Sequence, residues 1–176
     1  MMEKEFMNKV ARGEDDFLQK FIDILEKENI SYCVVGGLAV NAYTEPVVSL
    51  DLDVVVFAEK LGNLVSVLRE LFSVVEYPNS INISESTSAL RIQIQTDPRY
   101  QPFIDRAGSK TVLGYDVFVA EVKDVLRGKI WAAVDETRRP SKRQKDLADI
   151  MRLIESDPPL ISLLPEDLRK RLYPDE

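Results

Sequence analysis

The chain is 176 residues long and 45% hydrophobic, which is typical of a globular fold with a buried core. Its length predicts a single domain that spans residues 1–176. Histidine is absent from the sequence, so Ser-His-Asp catalysis, Cys-His catalysis and zinc sites with histidine ligands are excluded. Chemistry that uses carboxylates and magnesium is left as the natural candidate.

Charge, apolar runs and cysteine content indicate which partners and which cellular location to expect. The net charge of −7 disfavours a protein that coats nucleic acid broadly, but cations are concentrated in residues 127–145, a local basic patch suited to a nucleoside triphosphate. Apolar runs such as Val54 to Ala58 are too short to cross a bilayer, and residues 1–12 do not resemble a secretory signal. Cys33 has no partner for an internal disulfide. We therefore expect a cytoplasmic protein that engages no membrane.

Apolar periodicity predicts the elements in chain order. The first half is predicted to contain a helix at 13–29, a strand at 31–35, a short helix from Gly36 that Pro46 closes, a strand at 50–57 and a helix at 61–72. The second half is predicted to contain strands at 74–77 and 89–96, a strand or hairpin at 111–120, and helices at 121–134, 141–156 and from 165 onward. Ser141 and Gln144 form a capping-box pattern. The result is an α/β (α+β) fold, with a mixed, mostly β-sheet core flanked by helices and followed by C-terminal helices.

A diglycine, Gly36-Gly37, lies where the first predicted strand meets the short helix. Glycine lets the backbone approach a phosphate closely, and the free N–H groups at the start of a helix favour anions. The pattern indicates a phosphate site. The alternative is a tight strand-to-helix turn without a ligand.

Two carboxylates, Asp51 and Asp53, are two residues apart at the start of the second predicted strand. Because side chains alternate along a strand, both project to the same side. Neighbouring carboxylates repel each other, and a divalent cation relieves that repulsion. The pattern indicates a metal site, and the alternatives are a strand end that faces solvent or salt bridges to the basic patch.

Two cations, Lys129 and Arg143, fall on the apolar faces of consecutive predicted helices. A cation on such a face either extends to the edge of the core or meets an anion. Their shared direction suggests one anionic target. The alternative is that they pair with Asp51, Asp53 or Asp146.

Taken in order, these motifs resemble the nucleotidyltransferase superfamily, the fold of DNA polymerase beta, and within it the AbiEii/AbiGii toxin-like family of toxin–antitoxin systems. The pattern of that family is a Gly-Gly or Gly-Ser, a hydroxyl residue before an Asp-x-Asp pair, a third acid on a later strand, and a Lys followed downstream by Lys-Asp. Here the pattern reads Gly36-Gly37, Ser49-Leu50-Asp51-Leu52-Asp53, Lys129 and Lys145-Asp146. The match covers about residues 30–155, which leaves a helical extension at 1–29 and a helical tail at 156–176.

The resemblance implies a site for a nucleoside triphosphate and Mg²⁺, with Mn²⁺ as an alternative ion. Asp51 and Asp53 would hold the metal and, with Gln93, Lys129 and Asp146, form the catalytic group. The implied nucleotide contacts are Gly36, Gly37, Ser49, Lys129, Arg143 and Lys145. The implied chemistry is in-line attack on an α-phosphate.

The chain departs from the family pattern at two positions. Val47 stands where many relatives have an arginine, and the third acid falls on Gln93. An amide oxygen can coordinate a metal, but it is neutral and a poor general base. The chain is therefore a one-metal enzyme, an enzyme that uses Asp97 or Glu85 instead, or a binding protein without catalysis.

Two functional hypotheses follow. The first is a magnesium-dependent nucleotidyltransferase that modifies RNA or protein, with a toxin role and an antitoxin partner among the expectations. The second is a catalytically impaired module of the same fold that binds a nucleotide or a protein partner, which Gln93 favours. A glycosyltransferase that uses Asp-x-Asp for a nucleotide sugar is a weaker third hypothesis, because such folds usually need a longer chain.

Overall fold

A computed structural model describes residues 3–10 and 16–175 of the chain. Of the predicted helix at 13–29, residues 13–15 lie outside this part. The remainder forms α2 (Phe17–Lys27), and α1 (Glu3–Val10) precedes it. The carboxylate of Asp16 accepts a hydrogen bond from the backbone N–H of Gln19 at 3.0 Å, which satisfies a free donor at the start of α2.

Seven strands of the described chain form one mixed sheet in the order β3-β4-β5-β2-β1-β7-β6. They are β1 (Tyr32–Val35), β2 (Asp51–Val56), β3 (Ser73–Tyr77), β4 (Ser80–Ser84), β5 (Arg91–Gln95), β6 (Gly108–Val112) and β7 (Tyr115–Val119). Pairing is parallel between β2 and β5 and between β1 and β7, and it is antiparallel elsewhere. This mixed sheet flanked by helices confirms the predicted fold class.

The remaining helices are α3 (Gly36–Val40), α4 (Leu61–Leu71), α5 (Phe103–Arg106), α6 (Val122–Val134), α7 (Pro140–Ser156) and α8 (Glu166–Leu172). Among the described residues, none of these helices combines the length and the apolar character that a membrane span requires. The core packs fully buried side chains of the helices, such as Phe21, Leu64, Leu126 and Ile150, against strand residues such as Ile92.

Two local predictions need correction. The predicted capping box of Ser141 and Gln144 does not form, because α7 begins at Pro140 and Arg139 is its N-cap residue. Strand β4 was not predicted. It is only five residues long, and its two apolar positions, Ile81 and Ile83, are too few to give a clear alternation.

Candidate active site

A cleft of about 220 Å³ opens where β1 passes into α3 and where β2 lies beside β5. Nine of the ten predicted site residues line it, namely Gly36, Gly37, Ser49, Asp51, Asp53, Gln93, Lys129, Lys145 and Asp146. They come from α3, β2, β5, α6 and α7, and Ser49 comes from the segment before β2. The fold therefore gathers residues that are more than 100 positions apart in the sequence.

Arg143 is the predicted site residue that the cleft does not include. It lines a second, smaller pocket with Ala133 and Leu147. The cleft instead meets α7 at Lys142 and at Asp146, one turn later. Arg143 is rotated by about 100° from Lys142 around the helix axis, so it follows the apolar face of α7 away from the cleft. The expectation that Lys129 and Arg143 share one target is therefore corrected.

The turn between β1 and α3 depends on Gly36. Its φ of +70° lies in the left-handed region that favours glycine. A Cβ at Gly36 would also overlap the carboxylate of Asp53, so the turn lies directly against that side chain. Gly37 is less constrained, because a Cβ there would lie 3.8 Å from the nearest Asp149 oxygen and 4.0 Å from Ser49 Oγ.

The two carboxylates of β2 differ in their surroundings. Burial raises the pKa of the Asp53 carboxyl; the negative charge of Asp51 adds to this rise, and the positive charge of Lys129 opposes it. Asp51 is more open, and both of its oxygens meet cations: Arg91 Nε lies 3.0 Å from Oδ1 and Lys142 Nζ lies 3.5 Å from Oδ2. The salt bridges anticipated as an alternative are thus present at Asp51.

The register of the sheet places Gln93 directly beside Asp53. Parallel pairing of β2 with β5 sets Asp53 opposite Gln93, and antiparallel pairing of β5 with β4 sets Gln93 opposite Asn82. These three side chains therefore form a row across one face of the sheet, and all three line the cleft. The sequence predicted the position of Gln93 but not Asn82, because the strand that carries Asn82 was itself missed.

The ammonium group of Lys129 lies in a buried ion-pair network. Its Nζ is 3.0 Å from Asp146 Oδ1 and 2.8 Å from Asp149 Oδ2. Burial alone lowers the pKa of Lys129, but Asp149 and Asp146 outweigh it and raise that pKa, so the side chain is charged. Arg138 Nε also contacts Asp146, at 2.7 Å. Pairing with Asp146 was the alternative stated for Lys129, and Asp149 was not anticipated.

A further arginine connects this network to the segment that precedes β2. Arg152 Nη1 lies 2.9 Å from Asp149 Oδ1, and Nη2 donates hydrogen bonds to Asn41 Oδ1 (3.2 Å), Thr44 Oγ1 (2.9 Å) and the carbonyl oxygen of Glu45 (2.7 Å). Lys129 is thereby tied through two side chains to the segment that leads into Asp51 and Asp53. Sequence reasoning missed Arg152, although it follows Asp149 by one helical turn.

Ser49 and Tyr100 complete the lining in different ways. The hydroxyl of Ser49 accepts a hydrogen bond from the backbone N–H of Asp51 at 3.3 Å, so it shapes the entry into β2. The Tyr100 ring packs edge-on against Phe103 and Trp131, with centroids 5.3 and 5.2 Å away. Burial, assisted by Asp53, raises the pKa of Tyr100 to about 12, so its phenol is a neutral hydrogen-bond donor near pH 7.

The donor set fits a hard divalent cation such as Mg²⁺. Asp51 and Asp53 supply carboxylate oxygens, and Gln93 supplies an amide oxygen in the same row as Asp53. Within residues 3–10 and 16–175, no group of three or more His, Cys, Asp or Glu side chains is arranged to hold a metal. The site therefore offers two charged ligands rather than the three that the family pattern implies.

Comparisons with known proteins address the fold. No family model matches the chain, and no curated protein matches it, so the AbiEii/AbiGii assignment remains a prediction. Solved structures do match. The complex of ANT(2″)-Ia with adenylyl-2″-tobramycin superposes with a TM-score of 0.58 at 15% identity, over 88% of this chain and 94% of that one.

Two further structures show the same similarity. The lincomycin-bound lincosamide antibiotic adenylyltransferase LnuA has a TM-score of 0.56 at 11% identity, over 81% of this chain and 99% of that one. An antigenic nucleotidyltransferase-like protein from Paracoccidioides brasiliensis has a TM-score of 0.54 at 18% identity, over 99% of this chain and 91% of that one. The chain therefore has the nucleotidyltransferase fold that its motifs predicted.

Proposed function

We propose that the protein is a magnesium-dependent nucleotidyltransferase, which transfers a nucleoside monophosphate from a nucleoside triphosphate to an acceptor. One observation carries the proposal. The carboxylates of Asp51 and Asp53 lie on one face of β2 in the same cleft as Lys129 and Lys145, and that of Asp53 lies against the Gly36 turn. Two carboxylates that can hold a metal ion, a glycine turn at the start of a helix and several cations together suit the binding of a triphosphate.

Each residue of the cleft has a distinct role in the proposed reaction. Asp51 and Asp53 would hold the ion, which would supply charge neutralisation to the phosphates. The backbone N–H groups after Gly36 face the phosphates, and Lys145 and Arg138 line the same cleft as exposed or half-buried cations. An acceptor hydroxyl attacks the α-phosphorus, the bond from that phosphorus to the bridging oxygen breaks, and pyrophosphate leaves. The hydroxyl proton passes to solvent water.

The acceptor that we propose is RNA or protein, and modification of either would suit a toxin controlled by an antitoxin. The structures of ANT(2″)-Ia and LnuA contain adenylyl-2″-tobramycin and lincomycin, so small hydroxylated molecules belong in any acceptor test. A cytoplasmic location remains part of this proposal.

A second function, binding of nucleotide without transfer, is favoured by one observation. Gln93 stands beside Asp53 in the register, where a third carboxylate would activate the attacking hydroxyl. Under this reading the cleft binds the nucleotide and its ion, and the biological output comes from a partner that senses the bound state.

Label transfer separates the two functions. The purified protein is incubated with Mg²⁺, each of the four α-³²P-labelled nucleoside triphosphates, and total RNA, a protein extract or lincomycin and tobramycin. We expect label on one acceptor class and none with the Asp51→Asn/Asp53→Asn variant. Asp97→Asn is the matched control, because Asp97 pairs with Arg99 at 2.8 Å outside the lining of the cleft. Nucleotide binding without label on any acceptor would establish the binding module.

A further inference from the structure

The row of side chains beside Asp53 contains amides where a two-ion site has carboxylates. Gln93 is the direct neighbour of Asp53 in the register, and Asn82 is the neighbour of Gln93. The Oδ1 atom of Asn82 is buried and accepts no hydrogen bond from the described residues. Both amides offer a neutral oxygen, which can join the shell of one ion but cannot balance the charge of a second.

Two other acids near the cleft, Asp146 and Asp149, already form ion pairs with cations of the protein. Asp146 contacts both Lys129 and Arg138, at 3.0 and 2.7 Å. Asp149 contacts both Lys129 and Arg152, at 2.8 and 2.9 Å. Both carboxylates are almost fully buried, so freeing either one for a metal would leave a buried cation without its partner.

The two acids that sequence reasoning offered as substitutes for the third ligand lie elsewhere. Glu85 Oε1 is 3.1 Å from Lys20 Nζ, and Asp97 is held by the guanidinium of Arg99 at 2.8 Å. Neither residue lines the cleft. No described carboxylate therefore takes the place that Gln93 leaves neutral.

Positive charge already surrounds Asp51. Arg91 and Lys142 contact its two oxygens, and Arg91 is the direct neighbour of Asp51 in the register of β2 and β5. Among the described residues that line the cleft, five cationic side chains stand against three carboxylates. Once a triphosphate and a first divalent ion are bound, these fixed cations offset much of the phosphate charge that would otherwise attract a second ion.

We propose that the cleft binds one divalent cation per nucleotide, with Asp51 and Asp53 as its charged ligands, and that Arg91 and Lys142 supply the fixed positive charge that a second ion would otherwise bring. This inference rests on the proposed nucleotide site. It assigns Gln93 as the position that sets the number of ions.

Native mass spectrometry counts the ions directly. The purified protein is mixed with Mn²⁺ and each of the four α,β-methylene nucleoside triphosphates, which bind without transfer. We expect complexes with one Mn²⁺ per bound nucleotide in the wild-type protein. Gln93→Asp restores a carboxylate beside Asp53 and is expected to give two Mn²⁺ per nucleotide.

Gln95→Asp is the matched control. Gln95 lies two residues further along the same strand and lines the same cleft, but its neighbour in the register is Val55 rather than an acid. It adds the same charge without completing an ion site, so we expect it to keep one Mn²⁺. Two ions in the wild-type protein would overturn the proposal, and so would a Gln93→Asp count equal to that of Gln95→Asp.

The part assigned to Arg91 has its own test. In the Arg91→Gln/Gln93→Asp variant the repelling cation is gone, so the second Mn²⁺ is expected to bind roughly fivefold more tightly than in Gln93→Asp alone. An unchanged affinity would show that Arg91 does not stand in for an ion. If neither nucleotide nor Mn²⁺ binds the wild-type protein, the proposed function itself fails, an outcome distinct from a count of two.

Discussion

At the scale of single residues, Asp51 and Asp53 have the same side chain but differ in their surroundings. Asp51 is half-exposed between Arg91 and Lys142, whereas Asp53 lies against the Gly36 turn with its pKa raised by burial. Ionised Asp53 therefore weakens the metal-free fold, and a bound cation removes that penalty. The strand that carries the pair is stabilised elsewhere by the apolar residues that follow it.

Replacing Asp53 by asparagine tests this difference. An acid whose folded-state pKa is raised lowers the free energy of unfolding as pH rises from its unfolded-state pKa through its folded-state pKa. We therefore expect Asp53→Asn to raise the Tm of the metal-free protein at pH 8, with a gain that shrinks as the pH is lowered. Asp51→Asn is the control and should change the free energy of unfolding by less than about 1 kcal/mol, because its ion pairs are partly exposed. A lower Tm for Asp53→Asn at pH 8 would contradict the account.

The diglycine gives a second residue-scale prediction. Gly36→Ala places a side chain at a φ of +70° and against the Asp53 carboxylate, so we expect a loss of about 1–3 kcal/mol in the free energy of unfolding. Gly37→Ala is the matched change one residue later, and it should be neutral or slightly stabilising because its Cβ would make only ordinary van der Waals contacts in a helical backbone. Urea denaturation measures both, and equal losses would contradict the assignment.

At the scale of elements, the contact between α6 and α7 is built around a buried charge network rather than an apolar seam alone. Lys129 of α6 meets Asp146 and Asp149 of α7, and Arg152 extends the network to the segment before β2. The network thus fixes the positions of α6, α7 and the segment before Asp51 and Asp53 relative to one another. Lys129 acts on the cleft through this arrangement as well as through its charge.

Removing the charge of Lys129 tests the structural part of its role. Lys129→Met keeps the length and apolar stem of the side chain but leaves two buried carboxylates undercompensated, so we expect a loss of about 3 kcal/mol in the free energy of unfolding. Lys123→Met, an exposed change on the same helix, should cost less than about 0.5 kcal/mol. Urea denaturation of both variants measures the difference, and a Lys129→Met protein as stable as the wild type would show that the network contributes little.

Elements with a clear apolar periodicity were predicted well from the sequence. Elements that form only because neighbouring strands pair with them were not. Helices α4 and α6 lie close to their predicted bounds because each has an apolar face of three or more turns. Strand β4 has two apolar residues, and its identity depends on its neighbours β3 and β5. Arg143 was assigned to the cleft because it lies on the apolar face of α7. The cleft is instead lined by a different side of α7, which the apolar periodicity does not identify.

At the scale of the whole molecule, the order of the strands makes the site. Parallel pairing of β2 with β5 brings Gln93 to Asp53 across 40 residues of sequence, and the return of α6 and α7 adds Lys129 and Asp146. Local patterns indicated Asp53 and Lys129, but the sequence pointed to Gln93 and to a catalytic Asp146 only through the resemblance to a known family, because no local pattern fixes which strands become neighbours. The ion pair of Lys129 with Asp146 was one of the stated alternatives, whereas the pair with Asp149 was not predicted because it depends on how α6 packs on α7.

The central claim is that Asp51 and Asp53 bind a metal-bound nucleotide in this cleft, and isothermal titration calorimetry tests it most directly. Each of the four nucleoside triphosphates is titrated into the wild-type protein and into Asp51→Asn/Asp53→Asn, with Mg²⁺ and with EDTA, while circular dichroism confirms that both proteins are folded. We expect binding of at least one nucleotide to the wild-type protein with Mg²⁺, none with EDTA and none to the variant. Binding that is equal in the folded variant, or that persists without Mg²⁺, would contradict the claim.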